Sequence, residues 1–237
     1  MSTASRNLDR IRYVGHVLRT EVRTMARRRR RPAQVAAYLA EATEPKLQIG
    51  GGGNPLDGWL NTDLDDLPGM VFLDATEPLP FDDATFRYVF TEHVIEHVPY
   101  PAGKSLLAEV RRVLRPGGVL RVATPCLETL VGLVPGAAGD DARHYVDYYK
   151  RMYFEDVPEA DEVHVLNHAM RAWGHTFVYA RRTLQAALDA AGFVDVAECD
   201  VAKSEHDALS GLETHGEFIG DERINRFETM VFEAVRP

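Results

Sequence analysis

Cysteine is scarce in this sequence. Cys126 and Cys199 are the only two in 237 residues, too few for a disulfide scaffold and without metal-ligand spacing. No apolar run approaches the ~20 residues that a membrane span needs, and the N-terminus lacks the apolar core of a signal peptide. Internal repeats and low-complexity tracts are missing apart from one arginine run. Together these absences predict a cytoplasmic protein with no membrane span, long enough for one sizeable core and small appendages.

Overall positive charge is missing too. The net charge is −9, but residues 1–31 hold ten arginines against Asp9 and Glu21, so the remainder carries −17. Leu8, Ile11, Val14, Leu18, Val22 and Met25 recur every three or four residues, which is one face of a helix. Arg27–Arg31 ends at Pro32, which is expected to open a second short helix through Glu41, with Pro45 closing it. Residues 1–45 thus read as an N-terminal Arg-rich helical segment. The arm suits a sister subunit, giving a homodimer through the N-terminal helices, or an anionic substrate. Nucleic acid is disfavoured because no aromatic platform interleaves the arginines.

From Lys46 the pattern alternates strands with helices. Expected strands are Lys46–Ile49, Trp59–Thr62, Val71–Leu73, Phe86–Phe90, Val119–Ala123, Phe193–Glu198 and Thr229–Val235. Expected helices are Gly103–Leu114 and Arg181–Ala191. The fold class is α/β, a doubly wound, mainly parallel seven-stranded sheet of Rossmann-like type with N-terminal helices and a final antiparallel strand. Residues 46–237 form this domain, interrupted at about 126–176 by a His-, Tyr- and acid-rich insertion. One conflict stands out. Only six residues, Asn54–Trp59, separate the glycines from Leu60, whereas a parallel crossover usually needs a dozen or more.

The stretch from Lys46 to Asn54 empties a short apolar strand into Gly50, Gly51, Gly52 and Gly53, and Asp63 follows the next strand. Bare backbone admits a ligand closely, and a carboxylate at a neighbouring strand tip can hold a ribose diol. A nicotinamide fingerprint asks for a proper helix after the glycines and an acid about 20 residues on; here Asp63 comes too early. No Gly-Lys-Ser/Thr follows for a P-loop.

The ordered series Gly50-Gly51-Gly52, Gly58-Trp59-Leu60-Asn61-Thr62-Asp63, Leu73-Asp74-Ala75, Leu79-Pro80-Phe81, Thr91-Glu92-His93-Val94-Ile95-Glu96-His97 and Leu114-Arg115-Pro116-Gly117-Gly118 resembles the class I S-adenosylmethionine-dependent methyltransferases, in the type 11 branch. The resemblance is dense over 46–124 and looser toward the C-terminus. It implies that Gly50, Gly51 and Gly52 line the methionine and ribose of S-adenosylmethionine, that Asp63 holds the ribose hydroxyls, and that Asp74 and Ala75 face the adenine. Thr91, Glu92 and His93 would sit near the sulfonium and the acceptor. Gln48 and Asn54 depart from the commoner pattern. The Asn/Asp-Pro-Pro-Tyr signature for amino groups of bases or glutamine is missing. Members of the family often tailor sugars, polysaccharides and natural products.

His93-Val94-Ile95-Glu96-His97 also spells the H-x-x-E-H pattern of zinc hydrolases, but a third ligand has no obvious place in the sequence. Methylation of a hydroxyl needs a proton acceptor, and histidine titrates in the right range. His144 in the insertion is the first candidate base, with His97 and His168 in reserve and His175 in the same segment. Asp140 and Asp141, with Glu128 or Glu155, would suit magnesium, although a helix cap is the simpler reading of the pair. Tyr145, Tyr148, Tyr149 and Tyr153 add flat aromatic surface of the kind saccharide sites use. The sequence therefore predicts transfer of a methyl group from S-adenosylmethionine, leaving S-adenosylhomocysteine, to a hydroxyl of a sugar, oligosaccharide or glycosylated small molecule. An RNA methyltransferase using the basic arm and a non-catalytic binder of the same cofactor remain open.

Overall fold

A computed structural model describes residues 3–134 and 136–237, with side chains from residue 21 onward. Its centre is a seven-stranded sheet: β1 (Lys46–Ile49), β2 (Leu60–Asp63), β3 (Val71–Phe72), β4 (Phe86–Glu92), β5 (Leu114–Pro125), β6 (Val194–Cys199) and β7 (Thr229–Val235). The spatial order is β3-β2-β1-β4-β5-β7-β6. All pairings are parallel except those of β7, which runs antiparallel between β5 and β6. The chain therefore starts mid-sheet, winds outward to β3, and returns to β4 on the other side of β1. Strand order reverses between β1 and β4, and ligands of open α/β sheets bind at the carboxyl ends flanking such a reversal.

β1 pairs in parallel with β2 across a connection that contains no helix. The side chain of Asn61 resolves the conflict over its length. Its Oδ1 accepts from Leu56 N at 2.9 Å, and its Nδ2 donates to Leu56 O at 3.0 Å and Trp59 O at 3.3 Å. One amide thus satisfies backbone groups that a crossover helix would satisfy internally. Buried Trp59 packs edge-on against Phe90 and fills the space a helix would have covered.

The N-terminal segment departs from expectation. A single helix, α1 (Thr3–Glu41), runs through Pro32 where two were expected. A helix-interior proline forfeits one hydrogen bond and crowds the preceding turn, at a cost of roughly 3 kcal/mol. Here both neighbouring turns are anchored. Before the proline, Arg28 forms a two-pronged pair with Glu77, both contacts at 2.7 Å, and Arg27 pairs with Asp66 at 3.2 Å. After it, Val35, Tyr38 and Leu39 pack on the central core. These contacts tie the helix to the domain on both sides of the proline. The apolar stripe at Leu8, Ile11, Val14 and Leu18 lies outside the residues whose side chains are described; Val22 and Met25, at its C-terminal end, are exposed.

α2 (Tyr100–Val113) and α6 (Arg181–Ala191) are packed against each other in the central core through Leu106, Leu107, Val110, Leu184 and Leu188. The segment after β5 forms α3 (Leu127–Val131), α4 (Asp140–Tyr153) and α5 (Glu162–Arg171). These helices share a second apolar cluster around Leu130, Tyr145, Tyr149 and Val165, to which Ile224 also belongs. That residue comes from α8 (Glu222–Glu228), which with α7 (His215–Ile219) occupies the excursion between β6 and β7.

This excursion is tied to the sheet by Arg121 of β5, whose side chain is fully buried. Arg121 donates to Glu213 at 2.6 and 3.0 Å, to Glu233 at 2.7 Å, and to the carbonyls of Lys203 and Asp200. Removing one partner of a buried ion cluster strands the others without solvent. Arg121→Ala is expected to lower unfolding free energy by about 3–5 kcal/mol, measured by urea denaturation.

Candidate active site

β1 ends at Ile49, and the chain turns sharply through Gly50, whose φ is +69°. A Cβ at this position would lie 2.2 Å from Val94 Cγ2. Glycine is therefore required for the loop after β1 to close against the loop after β4. Gly52 N donates to Asp63 Oδ2 at 2.8 Å, and Asp65 N donates to Asp63 Oδ1 at 2.8 Å. Asp63 thus shapes the glycine loop from the tip of the neighbouring strand. On the other side of the reversal, His93 has a φ of +50°, a strained backbone for a non-glycine residue and one found preferentially at functional sites.

Between these loops lies a cavity of about 350 Å³. Gly50–Asn54 line one end. Tyr148, Tyr149, Tyr153, Trp173 and Phe218 give the other end an aromatic wall, and His93, His97, His175 and His215 reach in between. Glu92 and Glu228 also line it, but among the described residues no lysine or arginine does. The cavity is built to receive a cation or an electron-poor group.

Glu92 works as a tether. Its carboxylate accepts from Thr214 N and His215 N, both at 3.1 Å, at the start of α7. Asn54 of the glycine loop donates to the Thr214 hydroxyl. α7 is thereby held over the cavity, and its His215 ring stacks on His93 with centroids 3.9 Å apart. Burial, reinforced by His93, depresses the His215 pKa to about 3, so this ring is neutral. Burial opposes charge on His93 as well, but Glu96 at 3.2 Å, with Glu228 and Glu92 beyond it, raises its pKa overall. Buried Glu228 accepts from Tyr145 at 2.7 Å and from Tyr149 at 3.3 Å.

His175 is oriented by a different contact. Its Nδ1 lies 2.7 Å from the Ala169 carbonyl, which can only accept, so Nδ1 carries the proton and Nε2 is the free base. Burial lowers its pKa and keeps it neutral near pH 7.

Of the residues expected from sequence, Gly50, Gly51, Gly52, Glu92, His93 and His97 come together at this cavity. Asp63 braces the loop from behind. Thr91 is buried at the end of β4, its hydroxyl unpartnered. Asp74 closes a local turn, accepting from Thr76 N at 2.9 Å and from its hydroxyl at 2.6 Å; Ala75 packs at the edge of the core.

His144 does not line the cavity. On α4 the inward face is Tyr145, Tyr148 and Tyr149, and His144 falls to one side, where its Nε2 meets Asp221 Oδ2 at 2.7 Å. His168 lies behind the aromatic wall, stacked on Tyr153 at 4.2 Å. Of the acids considered for magnesium, Asp141 is engaged with Arg223 at 2.6 Å, Asp140 with Arg143, and Glu128 with the Arg181 amide, while Glu155 is not on the cavity lining. His215 and Glu228 are site residues that sequence reasoning missed. The available signal was Asp221-Glu222, a helix-start pattern in a stretch to which the sequence analysis assigned no element.

A methyltransferase domain family matches residues 60–122. The matched segment runs from β2 into β5, and the sheet has the Rossmann-like architecture of solved methyltransferases. The chain is 39% identical over 92 residues to the phthiotriol/phenolphthiotriol dimycocerosates methyltransferase of Mycobacterium leprae (strain TN), covering 37% of this chain and 32% of that protein. It is 30% identical over 100 residues to the probable methyltransferase ltbC of Aspergillus luteorubrus, covering 40% and 34%. The matched segments thus span about a third of these relatives' length. A solved S-adenosylmethionine dependent methyltransferase from Mesorhizobium loti superposes with a TM-score of 0.50 at 17% identity, covering 86% of this chain and 96% of that one.

The residues present fit the cofactor that the family implies. Cβ atoms added at Gly52 and Gly53 would meet nothing within 4 Å, so the loop offers open backbone, and the carboxylates of Glu92 and Glu228 on the lining suit a sulfonium. Asp63→Ala removes the brace on Gly52 and a charged acceptor. It is expected to weaken S-adenosylhomocysteine binding by about 1.5–3 kcal/mol, measured by calorimetry.

Proposed function

We propose that this chain is a methyltransferase, which transfers the methyl group of S-adenosylmethionine to a hydroxyl of a small acceptor, a sugar or glycosylated small molecule. The observation that carries the reading is the continuity of one cavity, with bare glycine backbone at one end and an aromatic, imidazole-rich chamber at the other. Bound at the glycine end, the cofactor would supply an activated methyl group and a neutral leaving group. Gly50, Gly51 and Gly52 would hold it with Asp63 behind them, and Glu92 would face its positive charge.

The chain's own contribution is alignment, exclusion of water and removal of one proton. Tyr148, Tyr149, Tyr153 and Trp173 offer faces on which a pyranose or a flat aglycone can rest, and α7 closes the cavity with Phe218 and Ile219. His175 is assigned as the base. Its tautomer is fixed by Ala169, its free Nε2 is unprotonated at neutral pH, and its position on the lining gives access to an acceptor in the chamber. The hydroxyl proton passes to Nε2 as the oxygen–carbon bond forms.

Arg27 and Arg28 weigh against the RNA alternative. Both guanidiniums lie over the ring of Phe72, at 4.9 and 5.1 Å from its centroid, while paired with acids of the same domain. Two of the arm's cations are thus spent internally.

Radiolabelled methyl donor incubated with glycosides, simple alcohols and amines tests the reading. Label is expected on hydroxyls of sugar-bearing acceptors; label on amines alone, or none despite cofactor binding, would refute it. His175→Ala is expected to lower kcat by about 10²–10⁴-fold with cofactor affinity retained, whereas His144→Ala should leave turnover close to wild type. Because burial lowers the His175 pKa, the rate should be flat above neutrality and fall only at pH values below the ordinary histidine range.

A further inference from the structure

His93, His215 and Glu228 bring two imidazoles and one carboxylate to the middle of the cavity from three separate elements. His93 follows β4, His215 opens α7 and Glu228 ends α8. One ligand atom from each lies within 4.8 Å of the other two, and His215 Nε2 is 3.7 Å from Glu228 Oε1. We propose that these three residues form a binding site for a divalent transition metal ion, open to the cavity and so able to take an oxygen of the acceptor. The role in catalysis rests on the methyl-transfer reading; the site itself does not.

Three observations carry the assignment. The first is the outer shell. Ligating histidines turn their other ring nitrogen toward a carboxylate, and ligating carboxylates are themselves hydrogen-bonded. His93 Nδ1 lies 3.2 Å from Glu96 Oε1, which leaves Nε2 for a metal; Nε2 rests 3.2 Å from the Thr229 hydroxyl. Glu228 has its Oε2 occupied by Tyr145 and Tyr149, which leaves Oε1 facing His215. The second is charge. Glu92 and Glu228 line the cavity and Glu96 stands directly behind His93, yet among the described residues no lysine or arginine lines it. The third is openness. Three protein ligands at a cavity wall leave coordination positions free, as catalytic metal sites do.

The donor set selects the metal. Imidazole suits zinc, iron, cobalt and nickel, whereas magnesium prefers oxygen ligands throughout. The three residues are 122 and 13 positions apart along the chain, so no linear motif announces the site. The H-x-x-E-H motif contributes only its first histidine. Its second, His97, joins Glu96 and His175 in a neighbouring cluster, and that cluster is the natural rival. Glu96 is fully buried there and already engaged with His93 and the Thr124 hydroxyl, and His175 Nδ1 is committed to Ala169. In the proposed site an acceptor hydroxyl bound to the metal would be acidified, and its proton would go to His175.

The test is a cobalt(II) titration of the tag-free, chelator-stripped full chain, followed by visible absorption and by metal content after gel filtration. No methyl donor is present, so failure of the methyl-transfer reading would leave the result unchanged. The proposal expects one cobalt per chain, loss of that binding in His215→Ala, affinity lowered about 10–100-fold in Tyr145→Phe, and binding retained in His175→Ala. His215 is partly exposed on a short helix, so its removal spares the core. Absence of stoichiometric binding, binding unchanged in His215→Ala, or binding abolished by His175→Ala alone would each overturn the proposal.

Discussion

The cavity has a roof because a carboxylate at the tip of β4 grips two backbone amides more than 120 residues away. Glu92 accepts from Thr214 N and His215 N, while Glu213, one residue earlier, is held from beneath by buried Arg121. Residues 213–215 are thus fixed from two directions. Everything that α7 supplies, including His215, Phe218 and Ile219, is placed through this clasp. A carboxylate capping free amide groups in a semi-buried setting is a strong, directional contact. It explains how a five-residue helix, too short to be stable alone, keeps a defined position.

Much of the sheet was legible because its strands alternate with turn signals and because the glycine loop leaves little freedom. The parts that were not legible depend on contacts between distant residues. The shortness of the passage from β1 to β2 was readable from its six residues, but what holds it, the side chain of Asn61, was not, since local propensity treats asparagine only as a poor strand former. The continuity of α1 through Pro32 rests on Arg27, Arg28 and Tyr38 meeting the domain. His144 and Tyr145 are adjacent in sequence, and periodicity alone does not say which faces inward. The helix answers by burying three tyrosines and turning the histidine toward Asp221. His215 escaped notice because its partners His93 and Glu228 meet it only in the folded chain.

Charge is arranged in layers. Carboxylates of Glu92 and Glu228 line the cavity, whereas the basic arm discharges part of its surplus at the ends of β2 and β3. Arg27 donates to the carbonyls of Leu64 and Asp65, just past the brace on Gly52. The N-terminal helix is therefore mechanically connected to the glycine-loop side of the site and meets the body beside Asp63. Among the described residues no helix is long and apolar enough to cross a membrane.

The second apolar cluster has a consequence for how such a protein can diversify. Leu130, Tyr145, Tyr149 and Val165 pack mainly among themselves and with Ile224, apart from the core under the sheet. A module that carries its own interior can accumulate substitutions while the glycine loop and its brace stay as they are. On the methyl-transfer reading, a new acceptor would then ask for the refitting of one seam of an otherwise unaltered scaffold.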